Sequence, residues 1–599
     1  MRTRTLLVAA CGAAVAAAIP AIAQVSQSQP QPVPAQTPPP ATSPPVTTAP
    51  AQQAPRTTTT VSESDLSSGS ESDSSVEEIS AESLPPPPPP VEYPGFARRD
   101  PWTVGRLDPS SIGLGIQPWG TADGGFLSSL MHSTDTPLAS RWLHIRLRDA
   151  LLAKAHAPAN VNPVDWAAER AWLLLRMGEA AAARMIVADV DTDRFTPKMV
   201  QVGVQSALAN ADPAALCPLE PGIRQYEQGI RQLVGAMCAS LAGEPESASA
   251  QIGDARRHGR IGGIDLALAD KIVGAGANTS RATTIEWDPV ESLTAWRFGL
   301  SAAAGLAPPD RLLNAASPQL RAFQARVPLL PPAQRLGSAL IAAGLGVFSS
   351  QSLIDLYSTI YDATDPGELP DTDAWQVRQA FVGKGTDARL SAIRKLLGAA
   401  KDPLTHEATR ALVARAATLI EPDAKLSKDA PELISAMLAA GYDRAAARWA
   451  GAVSRMDGDD ADRAWAMLAL SAPEGTRIDF SNSRVSGFIS RDKSAGKVRS
   501  ALLVAGLAGL GRIDTSTAEK LSGRYGLGVG HTTSWTKMVD AAAQRGQTGT
   551  VLVLAGTGFQ TRQWKDVPSS HLFHVTAALQ HTGQDFSARM IAAEALSRT

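Results

Sequence analysis

From Pro137 to Thr599 the chain is written in a single period, and that period constrains the fold more than any other feature. Apolar residues recur three and four positions apart. Val164, Ala168, Ala171, Trp172 and Leu175 line one side of a segment whose other side carries Glu169, Arg170 and Arg176. That spacing belongs to an amphipathic helix. Strand-like alternation is scarce. The connectors are short and carry helix stop and start signals: Gly178-Glu179, Gly243-Glu244-Pro245, Asp457-Gly458-Asp459, Gly511 with Asp514, and Pro568-Ser569-Ser570. Asp459 or Asp460 is expected to cap the helix that follows it. The pattern predicts an all-α body over residues 137–599.

A short phrase repeats within it. GEAAAARMI begins at Gly178 and GQDFSARMI at Gly583, with Ala-Arg-Met-Ile at the same distance from the glycine. GYDRAAARWA at Gly441 is similar with one extra residue, and GEPESASAQI at Gly243 is looser. In each case an apolar helix precedes the glycine and a small-residue helix follows. One hairpin is too small to bury its own apolar faces, so stacked hairpins forming a continuous α-solenoid are expected. Wide apolar surfaces such as Trp172-Leu173-Leu174-Leu175 fit contacts on two sides.

These hairpins resemble the tetratricopeptide-like helical-repeat superfamily. Trp172-x-x-Leu175 is similar to the start of that repeat, although Gly178 lies two residues late. The glycines Gly178, Gly243, Gly441 and Gly583 keep no regular spacing of roughly 34 residues. The resemblance covers four short patches. It implies a concave helical scaffold that binds protein or peptide, and no catalytic residues.

The chain opens differently. Residues 1–23 combine Arg2 and Arg4, an uncharged apolar run from Leu6 to Ala18, and Ala21-Ile22-Ala23. This is the pattern of a secretory signal peptide cleaved between Ala23 and Gln24. Val8-Ala9-Ala10-Cys11 also looks like a lipobox, but its apolar run would be very short. Residues 24–94 are rich in Pro, Gln and Thr, then Ser, Asp and Glu. The stretch 61–82 has seven acids and no base, and Pro85 to Pro90 are consecutive. Such a segment buries too little apolar surface to fold alone, so a disordered linker is expected. Residues 95–136 place Trp102, Trp119 and Phe126 among glycines and prolines, which reads as an irregular arm packed on the helical body. No later segment reads as transmembrane. The longest uncharged stretch, Leu336 to Ile354, is interrupted by Ser338, Ser349, Ser350, Gln351 and Ser352 and reads as a buried helix and a turn.

After removal of the leader two cysteines remain, Cys217 and Cys238. An exported protein meets an oxidising compartment, so one disulfide is expected between them. Losing Arg2 and Arg4 takes the formal charge from −2 to −4. That near-balance argues against a nucleic-acid partner, which calls for a basic face.

Motifs for chemistry fail on spacing. Gly523, Gly526, Gly528 and Gly530 do not form a phosphate loop. Gly383-Lys384-Gly385-Thr386 has its hydroxyl one residue late. His571 and His574 share a helix face, with His581 near the same face, but no Cys, Asp or Glu joins them at close spacing. His406-Glu407 is followed by Arg410 where a zinc protease helix needs a second His. Asp457, Asp459, Asp460 and Asp462 lack the glycine and closing Glu of a calcium loop. Arg141, Arg146 and Arg148 in SRWLHIRLRD read as a solvated basic face or as partners of nearby acids. No catalytic, cofactor or metal residue is assigned. The expectation is a non-enzymatic periplasmic scaffold of the cell envelope, binding protein or peptide. The alternatives are an envelope hydrolase with unrecognised carboxylates and an apolar-groove ligand carrier.

Overall fold

The computed structural model describes residues 94–223, 228–277 and 283–599. The leader, its Ala23–Gln24 junction and the linker up to residue 93 lie outside them. The chain divides into two units. In the smaller, residues 28–98, the described part is a single 3-10 turn at Gly95–Ala97. All that follows concerns residues 99–599 of the larger.

That unit is all-α. Its described residues contain no β-strand, only the isolated bridges Leu107–Ala153 and Asp123–Ala159. Among the described residues, no helix is long and apolar enough to cross a membrane. The helices used below are α1 (Gly124–Ser133), α2 (Arg141–Leu152), α3 (Pro163–Arg176), α4 (Ala180–Val187), α5 (Pro197–Ala209), α6 (Gln228–Leu241), α7 (Pro245–His258), α8 (Gly263–Gly276) and α9 (Ala295–Ala303). They continue with α10 (Pro332–Leu345), α11 (Ser350–Ala363), α12 (Asp373–Val382), α13 (Pro403–Ala417), α14 (Ala430–Ala439) and α15 (Asp459–Ser471). The last are α16 (Val498–Gly509), α17 (Ser534–Gln544), α18 (Thr548–Gly558), α19 (Ser569–His581) and α20 (Asp585–Ser597). The uncharged stretch from Leu336 to Ile354 covers most of α10, the turn at Gly346 and the first turn of α11.

The repeated phrase marks one backbone device. Gly178, Gly243, Gly441 and Gly583 all take positive φ, between +77° and +89°. At each, the glycine N–H donates three residues back and the next N–H donates five back. Examples are Gly178 to Leu175 at 2.9 Å with Glu179 to Leu174 at 2.9 Å, and Gly583 to Gln580 at 3.0 Å with Gln584 to Leu579 at 2.7 Å. This is a Schellman-type ending, and it needs a residue without Cβ strain at the left-handed position. Gly305, Gly511 and Gly546 make the same paired bonds without carrying the phrase. The arginines of the phrase have a shared task as well. Arg184 donates to Asp212 at 3.1 Å, Arg448 to Glu421 at 2.6 Å, and Arg589 to Asp443 at 2.9 Å.

Neighbouring helices pack in pairs: α3 on α4, α6 on α7, α13 on α14, α16 on α19, and α15 on α20. Two principal cores result. One collects residues from Val104 to Leu596. The other is confined between Val200 and Leu300, around α5, α6, α7 and α8. Cys217 and Cys238 are disulfide-bonded with Cα atoms 5.5 Å apart, which ties the 3-10 segment Pro213–Leu219 to α6 within the smaller core.

Residues 99–136 are not wholly irregular. Gly124–Ser133 is a helix, because the Asp123 carboxylate accepts the Phe126 N–H at 2.8 Å and caps it. Trp119 is buried edge-to-face on Trp166, with ring centroids 5.1 Å apart. The Trp119 carbonyl accepts from the Thr550 hydroxyl at 3.0 Å, so this segment bridges α3 and α18.

Candidate functional site

Helix α2 is where the beginning and end of the body meet. The sequence suggested that SRWLHIRLRD is a solvated basic face or pairs with nearby acids. Instead every residue of α2 except Ile145 and Arg148 is buried. The reason is long-range pairing. Glu594 of α20 accepts from the Ser140 hydroxyl at 2.5 Å and from the backbone N–H groups of Arg141 and Trp142 at 2.7 and 3.1 Å. A carboxylate here satisfies the orphan donors of a helix N-terminus and meets the positive end of its dipole. Arg141 reaches the carbonyls of Ala343 and Ala439 at 2.7 and 2.5 Å, at the C-terminal ends of α10 and α14.

The far side of α2 holds a second charged group. Arg148 sits 3.1 Å from Asp149 and 3.4 Å from Glu179, and His144 sits 3.4 Å from Glu179. Burial pushes the Glu179 carboxyl up, but Arg148 and His144 outweigh it and hold it below the usual carboxylate range. Burial lowers the His144 pKa against the pull of Glu179, which favours the neutral imidazole. Asp149 is fully buried, and burial raises it to about 7 despite Arg148 and Arg146. Burial likewise lowers Arg146 to about 9, with Asp149 opposing. Arg170 is fully buried with no carboxylate in ion-pair contact among the described residues, although Asp189 acts on its charge from further away. It donates instead to the carbonyls of Leu151, Val104 and Ala153. These charges knit helices together, and Glu179 also lines a pocket of about 30 Å³, room for about one water.

The residues weighed for chemistry are dispersed or paired. His571 packs against Trp535 with ring centroids 4.0 Å apart and lies 3.1 Å from the Gly558 carbonyl. His574 pairs with Asp540 at 2.8 Å, and His581 is exposed. Among the described residues no three or more His, Cys, Asp or Glu converge as a metal site. His406 faces Glu432 at 3.5 Å, and Glu407 faces Arg410 at 3.4 Å. Asp459 pairs with Lys493, Asp460 with Arg463, and Asp462 with both Arg484 and Arg491. Neither Asp459 nor Asp460 caps α15. Gly458 takes that position, and the two acids occupy the first turn, where the helix dipole favours them. Gly383 to Gly385 form the turn after α12, and Gly526 ends the helix Thr515–Tyr525.

An open, largely apolar groove of about 540 Å³ lies between α11, α12 and the end of α13. Tyr357 and Tyr361, one turn apart on α11, face Val377, Phe381 and Val382 of α12. Tyr361 stacks nearly parallel on Trp375, with an interplanar angle of 9°, and the Arg378 guanidinium lies 4.9 Å from the Tyr361 ring. Val382 is 60% exposed and Leu419, on the opposite lip, is 44% exposed. Burial, helped by Asp373, raises the Tyr357 pKa, so its hydroxyl stays protonated and able to donate. Nothing in the sequence singled these residues out, because aromatic residues one turn apart read as core.

The chain matches no family model, no curated protein and no solved structure.

Proposed function

We propose that this chain is an exported cell-envelope scaffold that binds a protein or peptide partner on the surface of a stacked, solenoid-like helical array. Cleavage of the leader after Ala23 would release it to the periplasm. The Cys217–Cys238 disulfide supports an oxidising destination. The turn shared by Gly178, Gly243, Gly441 and Gly583 supports the repeat reading. The observation that carries the binding reading is the α11–α12–α13 groove. It is open and aromatic, backed by a stacked Tyr361–Trp375 pair, and lipped by exposed Val382 and Leu419. Rigid aromatic surface of this kind gives large contact area at small entropic cost and suits an extended apolar segment.

The test is site-specific photo-crosslinking in the producing cell. A photoreactive residue at position 382 or 419 should give a discrete adduct with an envelope protein. Tyr361→Ser should abolish that adduct without changing the protein's level. Equal labelling from a distant exposed position such as 395 would sink the reading. Intact-mass analysis of the exported chain checks the start at Gln24.

A further inference from the structure

A second opening, lined by none of the groove residues, lies where the start of α13 meets the segment around Trp564 and the end of α20. It is a cleft of about 770 Å³. Its cationic lining is Lys401, His406, Arg463, Arg562, Lys565 and Arg598, in a chain whose formal charge is −2.

Half of these cations already have work. Arg463 reaches Glu432 at 3.4 Å and Asp460 at 3.7 Å. Arg598 pairs with Glu594 at 2.6 Å and donates to the Ala139 carbonyl at 2.9 Å. His406 faces Glu432 at 3.5 Å. Lys401, Arg562 and Lys565 are different, although Lys401 also donates to the Gly398 carbonyl. They are exposed, and among the described residues none has an acidic side chain within ion-pair distance. Of the two acids in the lining, Asp402 is occupied in capping α13, accepting from the Leu404 and Thr405 N–H groups at 3.1 Å each. The main-chain oxygen of Thr599, also in the lining, is taken up by Arg499 at 2.6 and 3.0 Å, which leaves Asp566 as the acidic side chain facing the three cations. Trp564, almost wholly buried, also lines the cleft, and its indole N–H has no acceptor among the described residues.

Three uncompensated cations around a concave space large enough for a small ligand are an anion site in outline. Lysine and arginine supply charge-assisted donors, and the guanidinium fork matches planar or tetrahedral anionic oxygens. We propose that this cleft binds a small multiply charged anion bearing phosphate or carboxylate groups, held chiefly by Lys401, Arg562 and Lys565. The site is independent of the peptide groove: either can be wrong while the other stands.

Isothermal titration of the full mature chain at low salt tests it, with pyrophosphate and citrate as separate probes and glucose as the uncharged control. At least one anion should bind saturably, and glucose should not. The double variant Arg562→Gln, Lys565→Gln should weaken binding about tenfold or more. Both residues are exposed, so folding should survive, and circular dichroism verifies that. The charge-matched pair Lys384→Gln, Lys395→Gln should leave binding unchanged. Preference for pyrophosphate assigns a phosphoryl ligand and preference for citrate a carboxylate one. Absence of saturable binding by either anion, or equal weakening by both variant pairs, overturns the proposal.

Discussion

The two principal cores of the body are stabilised by different means. The larger, from Val104 to Leu596, buries charges: Arg141, Arg146, Asp149, Glu169, Arg170, Glu179, Glu407, Arg410 and Glu594. The smaller, between Val200 and Leu300, is apolar apart from residues such as Ser206, Ser240 and Asp270, and carries the disulfide. The contrast follows from size. A small core removes little surface from water, so a covalent staple contributes a larger share of its stability. A large core joining segments distant in sequence must also choose one partner arrangement among many. A buried carboxylate that fits only one helix end can make that choice, as Glu594 does at α2.

The largest effect that would break this comparison is at Glu594. Glu594→Ala leaves the Ser140 hydroxyl, two backbone donors and Arg598 without their acceptor. Removing one partner from such a buried charged cluster costs about 3–5 kcal/mol. Denaturant unfolding should show that loss, and Glu594→Gln, which keeps one acceptor oxygen, should lose less. A change under about 1 kcal/mol for the alanine variant would mean that the joint is solvated and the contrast between the cores is empty.

Next in size is the staple. Replacing Cys217 and Cys238 by serine opens a loop of 21 residues, worth about 3 kcal/mol if the bond is unstrained. The loss should be local. Hydrogen exchange should speed up in α6, α7 and α8 and stay unchanged in α2 and α20. Uniform acceleration across both cores would show that they unfold as one.

How much of this was legible in the sequence depended on range. The all-α body could be read from periodicity because each helix declares itself within a dozen residues. Gly178, Gly243, Gly441 and Gly583 stood out because their flanking residues repeat, while Gly305, Gly511 and Gly546 make the same turn in unlike surroundings. Buried SRWLHIRLRD was not legible, because the partner of Arg141 and Trp142 lies about 450 positions away at Glu594. Asp459 was misread as a cap because Gly458, with φ of +89°, takes that position without a side chain. The groove was hidden for the opposite reason. Tyr357 and Tyr361 have the spacing of core residues, and only the exposure of Val382 and Leu419 distinguishes an open face from a closed one.

A smaller effect sharpens the comparison through pH, since the charged cluster on α2 belongs to the larger core alone. Asp149 has its pKa raised by burial to about 7, against about 3.9 in an unfolded chain. Between those values the folded state holds a proton that the unfolded state has lost. This group therefore lowers stability as pH rises from about 4 to about 7, and the penalty is constant above that. His144 acts in the opposite direction. Its pKa is lowered, so its contribution is lost as pH falls below the ordinary histidine value. Asp149→Asn isolates the first term, with Arg148, Arg146 and Glu179 as the charged groups around it. The stability of the native chain relative to this variant should decline across pH 4–7 and then level off. A flat difference over that window would show that Asp149 is charged throughout.

The smallest expected effect on stability is at the groove, and its smallness is what makes it informative. Val382 and Leu419 are 60% and 44% exposed and belong to the lips of the groove, so neither supports a core by itself. Val382→Asp and Leu419→Asp should each change unfolding free energy by no more than about 0.5 kcal/mol. Partner crosslinking from the opposite lip should nevertheless fall sharply, because a carboxylate in an apolar contact must be desolvated without a counter-charge. Arg378, 4.9 Å from the Tyr361 ring, is close enough to compensate at position 382 if the groove relaxes. Arg415, which lines the same groove four positions before Leu419, can do the same there, so the two variants should be about equally damaging. If both variants lose stability by more than about 2 kcal/mol, the groove is part of the core after all, and its exposed lips have no separate role in binding.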